Sequence, residues 1–124
     1  MAKQPRISDA EWIVMETLWA CSPMSADQVV AAISSRVDWK EPTIKTMLNR
    51  LVRKKALKYQ TEGKRYLYRP AVSRQACVRD ESQSFARRIF GGEVGAMIAH
   101  FVSDARLSQK QIEDLRRLLD EKAR

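Results

Sequence analysis

The chain has 124 residues, 44% of them apolar and 31% charged, with a formal net charge of +8 and two cysteines. The apolar share is ordinary for a globular fold and excludes a disordered tail, and the length fits one domain, or one small domain plus an appendage. No run approaches the roughly 18 apolar residues of a membrane span, and Cys21 and Cys77 stand far apart without a CxxC or a companion histidine. The amino-terminal "MAKQPRISDAEW" also lacks a signal peptide's apolar core. The expectation is a cytoplasmic protein with reduced thiols, no direct membrane insertion, no metal site and no cofactor.

In "SDAEWIVMETLWAC", Ser8 and Glu11 have capping-box spacing, and Trp12, Met15, Leu18 and Trp19 then share one helical stripe, which predicts a first helix packed on a core. Ser25 and Gln28 repeat the spacing before "VVAAI" and predict a second helix of about ten residues, ended by "SSRVDW". Pro42 suits a first helical turn, where its missing N–H is no loss, so "PTIKTMLNRLVRKK" predicts a third helix running to about Lys55. At about 100° per residue, Ile44, Leu48 and Leu51 fall on one stripe with Met47 and Val52 at its edges, while Thr46, Asn49 and Arg53 point the opposite way. A solvated helix face normally mixes Glu with Lys four residues apart; this stretch has no Glu or Asp.

"ALKYQTEGKRYLYRP" changes the period from 3.6 to 2, with Gly63-Lys64 as a two-residue turn, and predicts a β-hairpin. Tyr59 should lie opposite Tyr68 and Thr61 opposite Tyr66, with Lys58 facing Arg69 on the other side. Like charges across a hairpin are unfavourable unless an anion sits over them. From Lys40 to Arg69 there are ten basic residues and two acidic ones, Glu41 and Glu62, so this quarter holds the surplus of the whole chain. Three helices followed by a basic hairpin match a winged helix-turn-helix, whose third helix enters the major groove of double-stranded DNA. Thr46, Asn49 and Arg53 then stand nearest the base edges, with Lys45 and Arg50 toward phosphates. Lys54 joins this set, and Lys58, Lys64, Arg65 and Arg69 are the hairpin's backbone contacts. Tyr59, Tyr66 and Tyr68 read as core-side packing in preference to stacking platforms.

"SRQACVRDESQSFARRIF" predicts a helix of about four turns, Gly91-Gly92 a break, and "EVGAMIAHFV" a shorter apolar helix. Ser108 and Gln111 cap a last helix in which Ile112, Leu115 and Leu119 form a stripe with Leu118 beside it. So short a region cannot enclose a core alone, yet Phe85, Ile89, Val94, Met97, Ile98 and Phe101 need cover, as do Val102 and Leu107. A second copy of the chain supplies it, as a symmetric homodimer. The expected fold is mainly α with a small β-hairpin: a winged-helix DNA-binding domain over residues 1–71 and a helical homodimerisation region over 72–124.

Catalysis has little to draw on. His100 is the only histidine, nothing orients it toward Cys77, and no phosphate-loop motif is present, so an enzyme is not expected. Two other classes compete with DNA binding: a winged-helix module whose basic face meets an acidic protein, and an RNA-binding regulator that stacks single-stranded bases.

"SDAEWIVMETLW", "TIKTMLNRLVRKK", "GKRYLYRP", "SFARRIFGG" and "LSQKQIEDLRRLL" resemble, in order and spacing over nearly the whole chain, the penicillinase repressor family, the BlaI/MecI type. The resemblance implies a dimeric bacterial repressor, with an amino-terminal winged helix on palindromic operator DNA and intertwined carboxy-terminal helices. It also implies that Thr43, Lys45, Thr46, Asn49 and Arg50 lie in or near the DNA-reading positions. In the family, a membrane-bound sensor protease detects a β-lactam and repression ends when the dimerisation region is cut, typically at Asn-Phe. This chain offers His100-Phe101 there, a departure from the pattern. Ala56 stands where the family usually has Gly, and a left-handed cap at that position costs about 1 kcal/mol with Ala. Copper-responsive relatives carry a CxC tail, which "DEKAR" does not match, so copper sensing is not expected.

Overall fold

In the computed structural model, which describes residues 4–124, the elements run α1 (Asp9–Ala20), β1 (Met24–Ser25), α2 (Ala26–Ser34), α3 (Glu41–Arg53), β2 (Leu57–Glu62), β3 (Arg65–Pro70), α4 (Arg74–Phe90), α5 (Val94–Asp104) and α6 (Gln109–Ala123). All three expected capping boxes form, at Ser8, Ser25 and Ser108. In each, the serine hydroxyl accepts the backbone N–H three residues on, and the Glu or Gln there accepts the serine N–H, so two otherwise unpartnered donors are satisfied per helix start. Ser73 caps α4 through its hydroxyl to the Ala76 N–H.

The core of the first part is built from the periodic apolar faces. Val14, Met15 and Leu18 of α1, Val29 and Ile33 of α2, and Ile44, Leu48 and Leu51 of α3 are buried together with Leu57. The buried face of α1 is broader than the four-residue stripe: Val14 joins it, while Trp12 and Trp19 are half-buried and meet edge to face with centroids 5.3 Å apart. Such size and shape let the two tryptophans wall the core while their N–H groups reach Glu16 and the Val72 carbonyl.

The sheet has three strands in the order β1-β3-β2, and the hairpin register is the expected one: Tyr59 opposite Tyr68, Thr61 opposite Tyr66, Lys58 opposite Arg69. Gly63 supplies the positive φ of the turn (64°). Strand β1 was not expected, because two residues carry no period to read.

The end of α3 corrects the expectation for Ala56. The left-handed residue is Lys55 (φ 68°), one position earlier. Its N–H donates to the Val52 carbonyl (3.0 Å) and that of Ala56 to the Leu51 carbonyl (2.9 Å), the paired bonds of a Schellman motif. Ala56 therefore occupies the position whose side chain packs back on the helix, and it is fully buried beside Leu51. A small apolar residue is what that position needs.

The chain divides into two compact units, one ending at Glu81 and one spanning Ser82–Arg124. The division falls inside α4, later than the 71/72 boundary expected from composition, because the first turns of α4 belong to the first core. Cys77 is buried within it, and Asp80 accepts from the Gln4 N–H (3.0 Å). Burial, then the charges of Asp80 and Glu81, push the Cys77 thiol up, which makes it a poor nucleophile. In the second unit, Gly91 and Gly92 both take positive φ and end α4. Phe85, Phe90, His100 and Phe101 form an aromatic cluster there, with Phe85 stacked on Phe101 at 6.0 Å. Neither α5 nor α6 buries a residue.

Candidate nucleic-acid interface

Helix α3 is held by its apolar stripe, so the residues between the buried ones are forced outward. Thr43, Lys45, Thr46, Asn49, Arg50 and Arg53 are all exposed. The Thr46 hydroxyl donates to the Pro42 carbonyl (2.9 Å), which fixes its orientation and leaves its oxygen free to accept. Glu41, just before the carboxylate-free stretch, lies 3.4 Å from Lys45 across one turn. Both are about half exposed, so the pair is worth little and Lys45 can leave it for a phosphate.

Lys54 is different. Its ammonium sits 2.6 Å from Glu11 Oε1 and also donates to the Arg6 carbonyl (3.0 Å). The Glu11 side chain is only 3% exposed. Burial works to raise its pKa, but the Lys54 ammonium and the Ser8 hydrogen bonds outweigh it and hold the carboxyl below the usual carboxylate range. Lys54 thus joins the end of α3 to the start of α1.

On the hairpin, Lys58, Lys64 and Arg65 are exposed, and Arg65 makes a loose contact with Glu62 at 3.4 Å. Arg69 is half-buried with its Nε enclosed, so it presents less charge than expected. The tyrosines also depart from the expectation. Tyr68 is buried (7% exposed), but Tyr59 and Tyr66 are 48% and 49% exposed, with ring centroids 4.6 Å apart. Alternation places all three on one face, but Tyr68 lies in the central strand between Tyr59 and Met24, whereas Tyr59 is on the edge strand β2 and Tyr66 lies beyond the reach of β1. Burial, then Tyr66 and Tyr59, push the Tyr68 hydroxyl up against the opposing effect of Lys45, so it stays protonated. Together with Asn49, Val52 and Arg53 of α3, the three rings line a cleft of about 360 Å³.

The surface that results is a ridge of hydroxyl, amide and guanidinium groups on one helix, flanked by a basic hairpin. The sequence model of the penicillinase repressor family matches residues 7–121. The chain belongs to that family. The penicillinase repressor of Bacillus licheniformis is 35% identical, over 98% of this chain and 94% of that protein. The methicillin resistance regulatory protein MecI of Staphylococcus aureus strain N315 is 31% identical, over 97% and 98% respectively. Among solved structures, the monomeric form of Bacillus licheniformis BlaI in complex with the blaP half-operator is 38% identical and aligns with a TM-score of 0.54, covering 61% of this chain and 93% of that one. The penicillinase repressor family is one of regulators, so the protein is not an enzyme.

Proposed function

We propose that the protein is a homodimeric transcriptional repressor acting in the cytoplasm by occupying a palindromic operator in double-stranded DNA. The observation that carries the reading is the exposed face of α3, where Thr43, Thr46, Asn49, Arg50 and Arg53 stand with no carboxylate from Pro42 to Lys55. Asn49 and Thr46 read base edges, Arg50 and Lys45 hold phosphates beside them, and Lys58, Lys64 and Arg65 hold the backbone at the hairpin.

Dimerisation runs through the second unit. Ile89, Val94, Ile98 and Phe101 are between 43% and 58% exposed, and Leu118 and Leu119 are near 60%. So much apolar surface on three helices supports a second copy as its cover, with Phe85, Met97, Ile112 and Leu115 contributing their half-buried faces. Joining two weak half-site contacts makes the second intramolecular, so disrupting this unit, by cleavage or distortion, releases the operator without touching the DNA surface.

For the signal, the names of the relatives, a penicillinase repressor and a methicillin resistance regulator, support β-lactam resistance genes as the target, and the resemblance to the family adds a membrane-bound sensor protease cutting at His100-Phe101. A second reading keeps the repressor and drops that signal; what favours it is His100, exposed beside Phe101 and 3.4 Å from Asp104, where the family pattern has Asn. Nuclease footprinting of the full chain on the DNA upstream of its own gene tests the repressor. Two protected half-sites on one face of the duplex, one or more turns apart, are expected; no protected region contradicts it. Co-expression with a sensor protease of the family separates the two signals by whether the chain is cut.

A further inference from the structure

The cleft between α3 and the hairpin has a composition that neither the core nor ordinary surface explains. Its lining combines three tyrosines and Val52 with one amide, Asn49, and one guanidinium, Arg53, and the rings of Tyr59 and Tyr66 pack 4.6 Å apart. No carboxylate lines it. Aromatic and aliphatic surface beside a cation and amide and hydroxyl donors complements a chain in which a sugar ring alternates with an anion.

From this we infer that the cleft seats one sugar–phosphate strand of duplex DNA, with deoxyribose packed on Tyr59 and Tyr66 and Arg53 facing the adjoining phosphate. The inference rests on the DNA-binding reading and deepens it. It moves Arg53 from base reading to strand holding, and it gives the two exposed tyrosines a binding role. Phosphate and sugar contacts carry no sequence information, so the contribution must be the same on any duplex.

The test uses the full chain, fluorescence anisotropy, and two duplexes of about 30 base pairs, roughly three turns. One has mixed sequence and the other spans the region upstream of its own gene. Tyr59→Ser with Tyr66→Ser should weaken binding about tenfold on both duplexes, the effect of losing contacts of one to two kcal/mol. The salt slope should not change, because no charge is removed. Tyr59→Phe with Tyr66→Phe should retain most of the affinity. Wild-type affinity in the serine pair, or a loss confined to the upstream duplex, overturns the inference. Should the serine pair fail to fold by thermal unfolding, Arg53→Gln decides: a slope shallower by about one on both duplexes supports strand holding, and a loss on the upstream duplex alone overturns it. If the wild-type chain binds neither duplex, the DNA reading itself falls and this inference with it.

Discussion

Lys54 and Lys55 are neighbours in the sequence with unlike tasks in the fold. Lys54 neutralises a carboxylate buried at the start of α1, and removing it by Lys54→Met should cost about 1 to 2 kcal/mol, since Glu11 would lose its cation at a site that solvent reaches from the lysine side. Glu11→Gln is the gentler change, because glutamine still serves as the third residue of a capping box. The folded-state pKa of Glu11 is depressed, so its stabilisation is present above the unfolded value near 4.5 and fades as pH falls through the lower folded value. Thermal unfolding from about pH 7 to 3 should show Glu11→Gln less stable at neutral pH and less sensitive to acid than wild type; equal acid sensitivity would contradict the pairing. Lys55 holds a left-handed φ that glycine tolerates better, so Lys55→Gly should raise stability by about 1 kcal/mol in chemical denaturation. No residue-level pattern distinguishes Lys55 from Ala56 as the left-handed position: the choice depends on where the final helical turn stops, which is fixed by burying Leu51 and Ala56 together.

At the scale of elements, all six helices and the hairpin were legible, because apolar periods recur, three of the helices open on a serine with its Glu or Gln partner, and Gly91-Gly92 marks the break between α4 and α5. The outward face of α3 followed from its inward one, so the candidate base-reading residues were legible as well. What escaped was tertiary. The β1 strand exists only by pairing with β3, the exposure of Tyr59 and Tyr66 follows from the strand order and from how little of β3 β1 covers, and the capture of Lys54 by Glu11 joins residues 43 positions apart. Helix α6 offers the cleanest test at this scale. Leu115→Asp with Leu119→Asp places two charges on its apolar stripe without touching the first unit's core. Sedimentation velocity should then show monomers whose amino-terminal unit still unfolds cooperatively, and a persistent dimer would place the interface elsewhere.

The whole molecule combines a local excess of charge with a means of presenting it twice. The surplus of the chain lies between Lys40 and Arg69, and the exposed cations of α3 and the hairpin, Lys45, Arg50, Arg53, Lys58, Lys64 and Arg65, belong to one unit, while the exposed aliphatic residues of α5 and α6 belong to the other. Separating the two tasks lets loss of pairing abolish binding while the DNA surface stays intact. Arg50→Ala should weaken duplex binding and leave the dimer unchanged, each lost phosphate contact making the salt slope shallower by about 0.9. The most direct measurement is the affinity of the wild-type chain for duplex DNA across a range of salt. If two ridges together neutralise roughly eight phosphates, the log–log slope should be about −7. A slope near zero would contradict the account.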